Sequence, residues 1–158
     1  MTSLCCKVLK LLEGKTLVTA ESLTGGGIGA ALTAVPGSSG VYKGGIISYT
    51  NQVKHEVLGV SSEILEKYGP VSLWTAGAMA SGVRKLLKAD VAVSVTGLAG
   101  PGGDEFGNPV GTVYIGYDSG PRSIAKKFHF DGDRESVRRQ TIKAALEMII
   151  EEYEKRSG

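Results

Sequence analysis

Cysteine is almost missing from this sequence. Only Cys5 and Cys6 occur among 158 residues, side by side. Neighbouring cysteines rarely bridge each other, no third is there to pair with, and their spacing matches no metal-ligand pattern. A disulfide scaffold and a cysteine metal site are therefore not expected, and a reduced, cytoplasmic setting fits. Histidine is equally scarce, with His55 and His129 alone. No apolar run approaches the ~18 residues that a membrane helix needs. Met1–Lys15 carries no apolar stretch ahead of a small-residue cleavage site, so a secretory leader is not expected either. One-sided charge is absent too. Eighteen Lys and Arg against 16 Asp and Glu leave a net +2, which argues against disorder and against a strongly electrostatic nucleic-acid binder.

Glycine is plentiful, at 23 residues, and scattered without a repeat. That suits an α/β protein with many tight strand–helix junctions. The length fits one domain, 1–158, with a real core. Leu4, Val8, Leu11 and Leu12 give residues 3–13 helical spacing, stopped by Gly14. A strand over 16–21 and a helix over about 25–35 follow. A loop at 36–40 leads into a strand over 41–50. Asn51 is expected to cap a short helix, 52–58, and Ser61 or Ser62 to open another that ends near Gly69-Pro70. Ser72 starts a longer helix to about 88, with Trp74, Ala78, Met79, Val83, Leu86 and Leu87 expected on its buried side. Val91–Thr96 is the clearest central strand. A Gly/Pro-rich loop, 97–109, precedes a hairpin over 110–117 and 122–130, and a final helix covers 134–154. The alternation predicts a three-layer α/β/α sandwich on a mixed, mostly parallel sheet with one antiparallel strand.

In such sheets, ligands bind beyond the carboxyl ends of parallel strands. Three strands end in polar residues: Glu21-Ser22, Tyr49-Thr50-Asn51 and Thr96-Gly97. Their convergence would make one crevice. At the first, Thr19-Ala-Glu-Ser-Leu-Thr-Gly-Gly-Gly27 passes straight from strand to helix. That junction offers the Ser22 hydroxyl and unpaired N–H groups around Thr24, Gly25 and Gly26, with the helix dipole behind them. The same residues also read as an ordinary N-cap serine. The flanks are not those of a Gly-x-Ser-x-Gly elbow, and no Lys-Ser/Thr pair makes a P-loop.

A nucleophilic serine needs a base. Neither histidine sits in a recognisable triad. Lys54, expected in the first turn of the helix after Asn51, is the more telling group. The helix field and partial desolvation would both lower its pKa, and Ser–Lys pairs follow triad logic. Tyr49 is a candidate proton relay or hydrogen-bonding partner. Arg134, at the start of the last helix, is a candidate phosphate clamp. Arg138 and Arg139 read as solvated charge, with Glu135 pairing Arg139.

Seven segments occur in order: Thr19-Ala-Glu-Ser-x-Thr-Gly-Gly26, Pro36-Gly-Ser-Ser39, Ser48-Tyr-x-Asn-x-x-Lys54, Leu58-Gly-Val60, Thr96-Gly-x-Ala-Gly-Pro101, Pro109-Val-Gly-Thr-Val-Tyr114 and Gly132-Asp-Arg-Glu135. Together they closely resemble the C-terminal domain of the competence/damage-inducible protein CinA, which also occurs as a stand-alone nicotinamide-nucleotide amidohydrolase. The resemblance covers about residues 5–155. It implies deamidation of nicotinamide mononucleotide to nicotinate mononucleotide and ammonia, in a cytoplasmic homo-oligomer with no metal or organic cofactor. No nucleic-acid or membrane partner is implied. Carried over by motif, Ser22 is the nucleophile, Lys54 and Tyr49 activate it, and Thr96 and Arg134 contact substrate. Thr24, Gly25, Gly26 and Gly97 are assigned to substrate binding beside them.

Two departures stand out. Leu23 replaces the usual cysteine, and Gly102-Gly-Asp-Glu-Phe-Gly-Asn108 replaces the usual Asp-Gly-Gly and acidic run. The pyrophosphatase activity of the domain that precedes this one in longer CinA proteins is not expected of these residues. The competing class is a non-catalytic module that holds a phosphorylated ligand or mediates assembly, with Ser22 only a cap.

Overall fold

The structure is a computed structural model and describes residues 1–155. Five strands form one sheet: β1 (Leu17–Glu21), β2 (Tyr42–Ile47), β3 (Val91–Gly97), β4 (Thr112–Asp118) and β5 (Ser123–His129), in the order β2-β1-β3-β4-β5. β1 pairs in parallel with both β2 and β3, while β4 runs antiparallel to both β3 and β5. Four strands therefore point one way and β4 alone the other, as expected.

Strand alternation assigns the two faces. Leu17, Val91, Val93, Val95, Val113 and Ile115 join one core with α1 (Thr2–Leu11), α2 (Gly27–Thr33) and α6 (Arg134–Glu154). Val18, Ala20 and Ala92 join a second core beneath α4 (Ser62–Tyr68) and α5 (Leu73–Leu86). A sheet buried on both faces needs helices on both, which makes the three layers. Each fully buried Leu, Ile or Val contributes roughly 1.5–3 kcal/mol of transfer free energy.

The alternation also decides what happens at the end of β1. Glu21 turns toward the α2 layer, and the next residue, Ser22, turns toward the other. There the short helix α3 (Asn51–Glu56) waits.

Several element ends differ from the sequence expectation. Thr50, not Asn51, caps α3, its hydroxyl accepting from Val53 N–H at 3.3 Å. Helix α2 starts only at Gly27, after a turn closed by Gly26 in the left-handed region at φ 98°. Only glycine enters that region without a Cβ penalty. Ser22 is therefore not the cap of α2.

Trp74 and Leu86 were expected to be buried, yet they are 52% and 48% exposed. The buried stripe of α5 is Thr75, Ala76, Met79, Ala80 and Val83. These smaller residues let the helix settle onto the sheet, where a Cβ on Gly116 would meet the Ala76 carbonyl. Trp74 falls a third of a turn away and stacks on Tyr68, with ring centroids 3.8 Å apart.

Candidate active site

Ser22 follows the last residue of β1 and is 6% exposed. Its N–H donates to the Val95 carbonyl at 3.1 Å, which continues the β1–β3 ladder one step past the strand. From that fixed position its hydroxyl meets Lys54. The Nζ of Lys54 lies 3.1 Å from Ser22 Oγ and donates to the Ser48 carbonyl at 2.8 Å. Lys54 is 2% exposed. Among the described residues no carboxylate pairs with it.

Burial without a counter-charge penalises the ammonium, and the Lys54 pKa falls from 10.5 to about 8. Of the two expected causes, desolvation is the one at work: Lys54 lies beyond the first turn of α3, and the helix field is not needed. A neutral Lys54 amine can donate one N–H to Ser48 and keep its lone pair for the Ser22 proton.

The chain holds this amine in place from both sides. Lys54 N–H donates to the Thr50 carbonyl, and Val60 N–H donates back to the Lys54 carbonyl, both at 3.0 Å. The connection after α3 lies hard against α5, because a Cβ on Gly82 would collide with the Leu58 carbonyl.

Ser22 and Lys54 line a cavity of ≈ 280 Å³ together with Tyr49, Thr96, Gly97 and Arg134. All three strand ends thus contribute. Thr96 is buried and donates its hydroxyl to the Pro70 carbonyl at 2.7 Å, tying the 69–71 segment to β3. Arg134 reaches over the mouth. Its guanidinium donates to the Gly100 carbonyl at 2.6 Å and to the Tyr49 hydroxyl at 3.0 Å. A guanidinium carries five N–H donors, so three remain for a ligand. Tyr49 is 59% exposed, and its hydroxyl meets Arg134 instead of Ser22 or Lys54.

Thr24, Gly25 and Gly26 do not line the cavity. Nor does the start of α2 face a ligand. The Glu21 carboxylate, 2% exposed, accepts from Ile28 N–H at 2.8 Å and from Gly29 N–H at 3.0 Å. It also accepts from the Thr24 hydroxyl at 2.6 Å. The helix dipole therefore meets a protein carboxylate where an anionic ligand was expected.

Arg138 is the other surprise. It is not solvated charge: Nε donates to the Leu23 carbonyl at 2.9 Å, and a terminal nitrogen donates to the Thr24 carbonyl at 3.2 Å. Its one sequence signal is the i,i+4 spacing from Arg134, which puts both on one face of α6. Glu21 had a signal as well, standing next to the serine at the strand end. The histidines lie elsewhere. His55 Nδ1 is 2.7 Å from the Val60 carbonyl, and His129 Nε2 is 3.1 Å from the Val110 carbonyl.

Among the described residues no group of three or more His, Cys, Asp and Glu is placed to hold a metal ion, and no helix is long and apolar enough to cross a membrane. The site sets an alcohol beside a buried amine, with an arginine at the rim. A hydroxyl so placed can lose its proton to the amine and attack an electrophilic carbon.

Known proteins with the same architecture have been crystallised. A CinA superfamily protein from Klebsiella pneumoniae superposes with a TM-score of 0.94 at 33% identity, over 98% of each chain. The competence/damage-inducible protein CihA from Agrobacterium tumefaciens gives 0.90 at 38% identity, covering 94% of this chain and 93% of its own. A CinA-like protein of Parasynechococcus marenigrum is 47% identical over 152 residues, which is 93% of this chain and 36% of that protein. A putative competence-damage inducible protein of Halothermothrix orenii is 48% identical over 92% of this chain and 36% of its own length. The chain thus spans about a third of the length of these curated relatives. The family model described as the CinA C-terminal domain matches residues 2–153. With that match and this fold, the chain belongs to the CinA C-terminal domain family.

Proposed function

We propose that this domain is an amidohydrolase that converts nicotinamide mononucleotide to nicotinate mononucleotide and ammonia. The observation that carries the reading is the buried, unpaired Lys54 amine 3.1 Å from the Ser22 hydroxyl. A merely structural lysine gains nothing from that place, since a buried cation without a counter-charge destabilises the fold. A base for a serine does belong there.

The steps follow from the geometry. Ser22 Oγ attacks the carboxamide carbon while its proton passes to the Lys54 amine. The tetrahedral intermediate collapses as that proton moves to the leaving nitrogen, and ammonia departs. A water then gives a proton to Lys54, attacks the acyl-enzyme ester and releases the carboxylate. Ser22 recovers its proton.

The nucleotide's phosphate is assigned to Arg134. It is the cation at the mouth, and three of its N–H donors are uncommitted. The adjoining cleft is lined by Glu66, Asp104 and Glu105 and repels a phosphate. Tyr49 fits best as the support of Arg134. An assembly of several copies in the cytoplasm is part of the same reading, carried over from the family resemblance.

The test is release of ammonia and nicotinate mononucleotide from nicotinamide mononucleotide by the native protein, beside Ser22→Ala and Lys54→Met. Plain nicotinamide is the phosphate-free control. Turnover is expected from the native protein alone and on the nucleotide alone. A folded native protein with no turnover would sink this reading and leave a different small amide or a ligand-binding module.

A further inference from the structure

Serine acyl transfer needs donors for the oxygen that becomes negative. The unpaired N–H groups expected from the sequence were those around Thr24, Gly25 and Gly26, ahead of α2. Two of the N–H groups in this turn are committed. Gly25 N–H donates to the Ser22 carbonyl at 3.1 Å, and Gly27 N–H to the Thr24 carbonyl at 2.9 Å. Ser22's own N–H is held by Val95.

Leu23, Thr24 and Gly26 remain. None of these N–H groups donates to another group among the described residues, and of the three residues Leu23 lines the cavity. Leu23 and Thr24 are consecutive and directly follow the nucleophile, and successive free N–H groups make an anion-binding concavity.

Each of these two N–H groups is also aimed from behind. A trans peptide points its N–H opposite to its carbonyl, and both peptides here are trans. The N–H of Leu23 shares a peptide with the Ser22 carbonyl, which Gly25 holds. The N–H of Thr24 shares a peptide with the Leu23 carbonyl, which Arg138 Nε holds at 2.9 Å. A cation on the carbonyl polarises the whole peptide and makes its N–H a better donor. The next carbonyl, of Thr24, is held by the same guanidinium.

We infer that the Leu23 N–H, at the cavity wall, is the backbone donor of the oxyanion hole, and that Arg138 is the positioning residue that fixes it from outside the cavity by holding the Leu23 and Thr24 carbonyls. This rests on the reading of Ser22 as a nucleophile, but not on the identity of the amide.

The test uses a fluorophosphonate and the intact mass of the protein. Ser22 Oγ bonds to phosphorus, fluoride leaves, and the serine proton goes to Lys54. The phosphoryl oxygen gathers charge in that step, as the amide oxygen would. Arg138→Met should slow labelling at least about tenfold, and Arg138→Lys, which keeps the charge but loses the two-carbonyl grip, should recover part of the rate. Both are read beside thermal unfolding. If Arg138→Met fails to fold, Arg138→Lys carries the comparison, labelling more slowly than native.

With the nucleotide substrate, kcat should fall in parallel while KM stays within about twofold. An unchanged unfolding midpoint, with labelling that still reaches completion, separates this fall from a loss of folded protein. Folded Arg138 variants that label at the native rate would overturn the proposal. A native protein left unlabelled, or labelled when Ser22 is alanine, would overturn the nucleophile and the proposal with it. Labelling that depends on Arg138, without turnover of nicotinamide mononucleotide, would support the oxyanion hole and reject only the substrate.

Discussion

The hydroxyl of Tyr49 accepts a hydrogen bond from Arg134 at 3.0 Å, joining the end of the β2 segment to the first residue of α6 across 85 positions of chain. This contact makes Tyr49 a brace for a cation. The consequence is a specific kinetic split. Tyr49→Phe should raise KM for the phosphorylated substrate about three- to tenfold, the worth of a charge-assisted hydrogen bond lost from a half-exposed site, and leave kcat within about twofold. Steady-state kinetics of the variant decides it. A fall in kcat at unchanged KM would place Tyr49 in the proton transfer.

Turnover should depend on pH through Lys54. Its pKa is lowered to about 8 by burial, so the basic, neutral amine predominates above that value and the inactive ammonium below it. The expected profile of kcat/KM rises about tenfold per pH unit below 8 and levels off above. An apparent pKa near 10.5, or a flat profile from pH 6 to 9, would remove Lys54 as the base.

The same shift makes a prediction about stability. The folded pKa lies below the unfolded one, so the unfolded chain binds the proton more tightly. The penalty on the fold is absent above about 10.5, grows as pH falls, and is complete below about 8. Lys54→Met removes it, so the inactive variant should be more stable than native at pH 7. The gain is up to about 3 kcal/mol from the shift, less about 1 kcal/mol for the lost bond to the Ser48 carbonyl. It should vanish near pH 10.5. Urea unfolding at both pH values measures the difference. A variant less stable at pH 7 would contradict the sign.

Glu21 should matter for the fold. Both of its oxygens accept backbone N–H groups at the start of α2, and Thr24 adds a third donor. Glu21→Gln turns one acceptor into an N–H₂ that faces another donor. A loss of about 2–4 kcal/mol is expected, since buried donors are left unpaired, and the urea midpoint should drop accordingly. A midpoint within error of native would show that the turn is held by other contacts.

The layers, the single reversed strand and the gathering of Ser22, Lys54, Thr96 and Arg134 were legible because each follows from local pattern. Val91–Thr96 is an apolar run with a polar end, Ser61 and Ser72 stand where caps belong, and strand ends of parallel sheets meet by construction. Roles that need a carbonyl or an amide as partner were hidden. Nothing in Glu21's neighbours says that its carboxylate turns back onto residues seven and eight positions later. Arg138 looked solvated because its acceptors, the Leu23 and Thr24 carbonyls, lie over 110 residues away and carry no side-chain signal. Trp74 misled for the opposite reason. Its size suggests burial, but its position on α5 lies off the face formed by Thr75, Ala76, Met79, Ala80 and Val83.

Glu21 at the start of α2 also bears on the fate of the product. With that helix end already occupied, the cleft's positive charge comes from side chains, Arg134 at the rim and Lys54 at the floor. The floor charge is switchable, present below about pH 8 and lost above. In the proposed reaction the substrate's amide is neutral, but the carboxylate it becomes is not. In mildly acidic solution that carboxylate would sit against an ammonium and leave slowly, whereas in alkaline solution nothing at the floor would detain it. Inhibition by accumulated nicotinate mononucleotide should therefore tighten as the medium acidifies, so that the protein throttles itself in acid through the residue that drives it in base.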